Sequence, residues 1–432
     1  MTRLRPTAII LFWLPLAATW LMMAVEGPYI AAIVARMPAA AHSLAAYGVA
    51  TALAWLIESP IMMLLSAATA LVHGRASYLA LRRFAFLLNA LVTAGMAILA
   101  LPPVFRFVGE TLIGLPPEIS RLAHLATIIM IPWPAAIGYR RFYQGILVKH
   151  HLTRRVAYGT VVRLATMSLT ALFAYGAKVP GAVLGACALL AGVLAEAAAS
   201  RWMAHALVGE LLTRDEPPEG SLLTMPEIAR FYFPLALTSM LSMALGPLVT
   251  FGLGRGRAPI ESLAVWPVVQ GTAFIFRSGG IAFQEVGIAL RGREVARTGI
   301  ILGGLASLSL ALVAFTPLEA VWFRQVSGLS DRLASSALLP IRILVLLPLL
   351  DFVLSVQRAD WIVARRTRVV TIATAIEGAG LAAMLFATIG PLSMVGAVGG
   401  AIAMIAGRVA ANGYLFGARR RLGVCAAKPL SS

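Results

Sequence analysis

Long apolar runs separated by short polar or basic connections fill this chain from end to end. A membrane helix needs about 20 mainly apolar residues. Twelve runs qualify, at 7–35, 41–72, 80–107, 120–149, 155–177, 180–209, 228–254, 260–290, 297–323, 333–363, 368–389 and 391–418. None shows the apolar–polar alternation of a membrane β-strand. The pattern predicts an all-α polytopic membrane protein with 12 transmembrane helices. Several runs exceed the bilayer's requirement, which implies tilt or protruding ends.

One connection reads as a linker. Thr213-Arg214-Asp215-Glu216-Pro217-Pro218-Glu219-Gly220-Ser221 is polar, rich in turn formers and close to the midpoint. It predicts an N-terminal six-helix lobe at 1–212, a linker at 213–225, a second six-helix lobe at 226–422 and a tail at 423–432. An internal repeat supports two pseudo-symmetric bundles. At an offset of 219, Pro15 meets Pro234, Gly27-Pro28 meets Gly246-Pro247, Arg36 meets Arg255, and Ser59 meets Ser278. Pro134 and Thr153-Arg154 fall on Pro348 and Thr367-Arg368 at 214, and Pro180 falls on Pro391 at 211. The first run is therefore the twin of the seventh and is read as a mature helix rather than a cleaved leader. Six helices per lobe make the repeats parallel, about an axis along the membrane normal.

Composition agrees: 60% of the 432 residues are hydrophobic, 12% are charged, and mean hydropathy is +0.86. Soluble chains carry about 25% charged residues. Net charge is +18, almost all from arginine. In a soluble chain this would suggest nucleic acid; here arginines at helix ends are better read as orienting the helices and meeting anionic headgroups. They concentrate on one side, at Arg75, Arg82, Arg83, Arg154, Arg155, Arg293, Arg297 and Arg419-Arg420-Arg421. The expected location is the cell inner (plasma) membrane, with both termini cytoplasmic. The two cysteines, Cys187 and Cys425, form no paired motif.

Ionisable residues at bilayer depth usually face a bundle interior or a wet cavity. The acids here are Glu26, Glu58, Glu196, Glu285, Asp351, Asp360 and Glu377, and the bases are Arg140, Arg141, Arg163, Arg277, Arg342, Arg358 and Arg408. Glu58 and Arg277 are repeat partners, so the two lobes are expected to present opposite charges to a shared central cavity. That pair reads as a substrate or gate site, as a static ion pair between lobes, or as a side chain reaching an interface. Asp351 and Arg358 lie two turns apart on one helical face, a spacing that fits local ion pairing equally well. Arg140-Arg141 either attract an anion or orient a helix end. Glu26, beside the bend-forming Gly27-Pro28, is a candidate Na⁺ or H⁺ coupling site or a hydrogen-bonded acid at a kink. Scattered histidines give no metal set, and no catalytic motif is present, so neither an enzyme nor a cofactor is expected.

Some segments also resemble a known family. Leu44-Ala45-Ala46-Tyr47-Gly48-Val49-Ala50 with Ser59-Pro60 and Met62 resembles the second helix of the progressive ankylosis protein family. Gly145-Ile146-Leu147-Val148-Lys149-His150, Phe231-Tyr232-Phe233-Pro234-Leu235-Ala236-Leu237 and Leu339-Pro340-Ile341-Arg342-Ile343 are similar to it as well, as is Glu285. The matches spread over most of the chain in order. The resemblance implies the MATE-like V-shaped exporter fold, alternating access, and export of small polyanions such as citrate, nucleotides or pyrophosphate. It carries over Glu285, Arg342 and Lys149. Arg140, Arg141 and Arg163 depart from the family pattern, and the Arg- and Ala-rich composition points to a prokaryotic relative.

The sequence thus predicts a monomeric exporter of an anionic solute. Arg277, Arg342 and Arg358 would bind substrate, with Glu58, Glu285 and Asp351 holding the arginines or exchanging partners, and Glu26 would be the coupling-ion site. The alternatives are a cation-coupled multidrug antiporter using Glu58, Glu26 and Asp351, and a flippase for a lipid-linked precursor.

Overall fold

A computed structural model describes residues 5–150, 152–213, 224–290, 292–364 and 366–422. Most of the predicted linker and all of the tail lie outside the described residues. The described residues are all-α, with twelve helices among them long and apolar enough to span a membrane. They are α1 (Pro6–Ala35), α2 (Ala40–Leu71), α3 (Arg75–Leu99), α4 (Pro117–Lys149), α5 (Thr153–Gly176) and α6 (Gly181–Met203). The rest are α7 (Met225–Arg255), α8 (Pro259–Leu290), α9 (Arg293–Phe315), α10 (Asp331–Val363), α11 (Thr367–Ile389) and α12 (Gly396–Leu422).

Proline decides where these helices end and break. α3 and α9 stop short of the predicted 107 and 323 because Pro102-Pro103 and Pro317 follow them and cannot continue the hydrogen-bond ladder. The apolar composition runs on, but as short pieces, including π-helical turns at Phe107–Ile113 and Val321–Val326. α4 breaks between Ile129 and Trp133, at Pro132 and Pro134, and α10 tightens to a 3₁₀ turn at Leu344–Leu346 ahead of Pro348. Pro60 turns α2 into a 3₁₀ step at Ser59–Ile61.

The repeat is written in these boundaries. The two segments of α4, Pro117–Ile129 and Trp133–Lys149, fall residue for residue on Asp331–Ile343 and Leu347–Val363 of α10 at an offset of 214. Local bonds repeat too: the Ser59 hydroxyl donates to the Leu56 carbonyl at 2.6 Å, and Ser278 donates to Ile275 at 2.7 Å, both at the offset of 219. In the last helix the structure corrects the register. A Cβ on Gly192 would meet the Arg163 carbonyl and Met167, while one on Gly407 would meet the Glu377 carbonyl and Leu381. Gly192 and Gly407 are therefore equivalent, at 215 rather than 211. The Pro180–Pro391 match is one helical turn out, because α12 starts only at Gly396.

Contacts divide the chain into two compact units, 37–247 and 1–36 with 248–432. The grouping differs from the halves predicted from chain order, since α1 belongs with the second half and the first part of α7 with the first half. Side chains along α1 explain its placement. The Trp13 indole donates to the Gly279 carbonyl of α8 at 2.9 Å. Pro28 lies where a side chain at Gly271 would have to be. Arg36 donates to the carbonyls of Ala32 at 2.6 Å and Val326 at 3.0 Å. In α7, the Tyr232 hydroxyl donates to the Pro60 carbonyl at 2.5 Å, and its ring meets Phe84 edge-on at 5.2 Å. A sequence repeat identifies twins but says nothing about which neighbours each twin packs on.

Candidate functional site

Among the described residues, each unit holds one buried set of ionisable side chains. In unit 37–247 its centre is Glu196 of α6, 1% exposed. Arg140 and Gln144 sit one turn apart on α4 and therefore share a face. Arg140 donates to one Glu196 oxygen, and Gln144 Nε2 donates to the other at 3.0 Å. Arg163 of α5 approaches the first oxygen at 3.6 Å, with its guanidinium 6.0 Å from the Trp133 ring centre. The Trp133 indole in turn donates to Glu58, 4% exposed, at the break in α2. Arg141 reaches the Met62 sulfur at 3.9 Å, just past that break. The proline step in α2 thus sets Glu58 down beside the basic face of α4.

In the other unit Asp351 of α10, 3% exposed, is the centre. One of its oxygens accepts from Arg277 Nε of α8 at 2.5 Å, and the other lies 3.1 Å from Arg408 Nε of α12. Arg408 also meets Glu377 of α11 at 3.0 Å. Arg358 stands 3.6 Å from Glu377 and donates to the Thr374 hydroxyl at 3.1 Å. The Nε atoms of Arg140, Arg141 and Arg358 are buried without a hydrogen-bond acceptor.

The two sets share three repeat positions, two of them with the charge exchanged. Glu58 corresponds to Arg277, Arg163 to Glu377 and Gln144 to Arg358, at the offsets fixed by the helix boundaries. Each set has three arginines and two carboxylates, so each keeps one positive charge beyond its internal pairing. Buried pairs of this kind do not stabilise much against an apolar core, yet losing one partner is costly. Such a set therefore resists substitution, and its surplus charge favours an anion.

Of the residues predicted as a site, Arg277, Asp351 and Arg358 come together. Glu58 belongs to the other set. Arg342 joins neither. It lies in the first segment of α10, before the 3₁₀ break, and bonds the Ala314 carbonyl at 3.0 Å and Glu319 at 2.9 Å, with its side chain 38% exposed. Glu285 is exposed on α8. Glu26 is buried in α1, and Lys149 is in the last turn of α4. Glu196, Glu377, Arg408, Trp133 and Gln144 complete the sets without having been singled out as site residues. The internal repeat that links Glu58 to Arg277 at an offset of 219 was the signal that also leads from Arg163 to Glu377, at 214. Among the described residues, no three His, Cys, Asp or Glu side chains gather in a way that could hold a metal.

No protein-family model matches the chain. Nor does any curated protein sequence. Solved structures do. An inward-facing multidrug resistance MATE family transporter of the MOP superfamily superposes with a TM-score of 0.74 at 14% identity, covering 94% of this chain and 95% of that one. The lipid II flippase MurJ, in an inward closed conformation, gives 0.71 at 11% identity over 94% and 87%. A MOP superfamily transporter from Pyrococcus furiosus, described by a reverse polarity of its binding pocket that suggests a different function, gives 0.60 at 15% identity over 97% and 96%. The chain has the fold shared by these MATE-type and flippase structures.

Proposed function

We propose that the protein is a membrane transporter that exports a small polyanion of the citrate, nucleotide or pyrophosphate type by alternating access. The observation that carries this reading is the excess of guanidinium over carboxylate in both buried sets. A charged group at bilayer depth costs several kcal/mol unless it is paired or hydrated. An anionic solute supplies the missing countercharge. In the set around Asp351, the solute competes with that carboxylate for Arg277 and Arg408. A conformation in which the competition is won binds substrate more tightly than one in which the internal pair is closed, and such a difference in affinity lets a ligand shift a conformational equilibrium. The resemblance to the progressive ankylosis family supports the same substrate class.

The multidrug-antiporter alternative needs a carboxylate available to a cation. Asp351 is held by two arginines, and Glu58 accepts from the Trp133 indole. The double pairing of Asp351 weighs against that reading. A flippase for a lipid-linked precursor stays as the second reading, because the MurJ structure is among the good superpositions.

The test is efflux from proteoliposomes loaded with labelled citrate, ATP or pyrophosphate, with and without a Na⁺ or H⁺ gradient. Wild type is compared with Arg277→Ala and with Arg342→Gln, which lies outside the buried sets. Efflux that is lost in the first variant and kept in the second supports the proposal. Folded, correctly inserted wild type that releases none of the three anions overturns it, and labelled lipid-linked precursors become the next substrates to assay.

A further inference from the structure

A second basic site lies in unit 1–36 with 248–432, away from the Asp351 set. A concavity of about 560 Å³ opens where α8 turns into α9, beside the last turns of α10 and α12. Arg293, Arg297 and Arg419 line it, with Asp360 as the carboxylate among them. Asp360 pairs with Arg419 at 3.4 Å, so the described lining keeps two positive charges.

Spacing explains how the site is built. Arg293, Arg297, Ile300 and Ile301 recur at one-turn intervals along one face of α9. Val356, Asp360 and Val363 do the same on α10. α8 closes the back through Gly287, where a Cβ would come within 2.7 Å of Ala359. The chain enters α9 through Gly292, whose φ of +111° only glycine adopts readily. This turn brings the first turn of α9, with its unpaired amides, to the same concavity. The basic rim passes directly into an apolar wall. Ile300 and Ile301 are 50% and 53% exposed, and Leu305 and Leu308 prolong the stripe along α9 at 54% and 57%.

Arginines at helix ends orient the helices and meet the headgroup layer. Here three of them converge on a concave site with a hydrocarbon-compatible wall at one end. Basic pockets between membrane helices on the basic side of a protein suit anionic phospholipid headgroups. We propose that this site binds an anionic phospholipid. Its phosphate is held by Arg293, Arg297 and Arg419, and an acyl chain lies along the Ile301–Leu308 stripe.

The experiment measures binding to the full-length purified protein by native mass spectrometry and by the shift in thermal unfolding. The probes are phosphatidylglycerol, phosphatidylcholine and glycerol 3-phosphate. Phosphatidylglycerol is expected to bind in preference to phosphatidylcholine, and Arg293→Gln/Arg297→Gln to weaken it by about 30-fold. Asp360→Asn removes the competing carboxylate and is expected to tighten binding by about threefold; a misfolded variant could not show that gain. Equal binding of both phospholipids, or phosphatidylglycerol affinity unchanged in the double arginine variant, overturns the proposal. Glycerol 3-phosphate binding as tightly as the lipid overturns the lipid occupant and leaves a soluble phosphate ester in its place.

Discussion

Replacing Asp351 with Asn tests whether the buried set acts as one unit. The change keeps the shape and removes one charge. Arg277 then loses its carboxylate, and Arg408 keeps only Glu377. Two unit charges about 4 Å apart interact by about 4 kcal/mol at an effective dielectric of 20. The Arg277 and Arg408 terms do not simply add, because the two guanidiniums repel each other and the amide still accepts one hydrogen bond. Breaking a buried pair typically costs about 3–5 kcal/mol, and that is the expected loss. The assay is thermal or denaturant unfolding of detergent-purified protein, for the single variant, for Arg277→Gln, and for Asp351→Asn/Arg277→Gln. Removing both partners removes the stranded charge, so the double variant is expected to lie about 1–3 kcal/mol above the sum of the singles. A single-variant loss below about 0.5 kcal/mol, or strict additivity, would refute the idea of a coupled set.

Other outcomes follow from particular contacts. Trp133→Phe strands Glu58 beside its arginines and is expected to cost about 1–3 kcal/mol and to lower efflux, read by the same unfolding and liposome assays. Gly407→Val crowds the Glu377 carbonyl, 2.7 Å from an added Cβ, and is expected to destabilise by about 1–3 kcal/mol. Gly304→Ala meets open space and is expected to stabilise α9 by up to about 1 kcal/mol. Tyr232→Phe removes the bond to the Pro60 carbonyl and is expected to cost about 1 kcal/mol, with unfolding midpoints as the readout.

What the sequence disclosed, and what it hid, divides along physical lines. The twelve spans were legible because a bilayer imposes length and apolarity on each helix separately. Their ends were less so: hydropathy continues across Pro102-Pro103 and Pro317, whereas the helix does not. Repeat twins were legible at most of the positions that Pro or Gly marked. The register of α12 slipped by one turn because its matching glycines recur every four residues, and only the contacts of Gly192 and Gly407 separate the alternatives. For the site, the charged positions themselves were visible. Arg358 joins Arg277 and Asp351 while Arg342, nine residues before Asp351 and so on the opposite helical face, turns to Ala314 and Glu319. Glu196 and Glu377 joined the sets only when three helices met around each, a long-range fact that no local pattern carries.

Pro60 and its twin position, Gly279, have an uneven mechanical outcome. α8 runs as one rod of 32 residues, whereas α2 changes curvature at Ser59–Ile61. Two arms descended from one pattern therefore differ in stiffness. In α2, bending strain collects at a single joint, which the Tyr232 hydroxyl spans like a latch. α8 has no such step at Gly279, and its internal proline, Pro267, lies twelve residues earlier. A motion that bends both arms finds a joint at Ser59–Ile61 in α2 that α8 lacks at the twin position, a difference that one substitution in the duplicated sequence introduced.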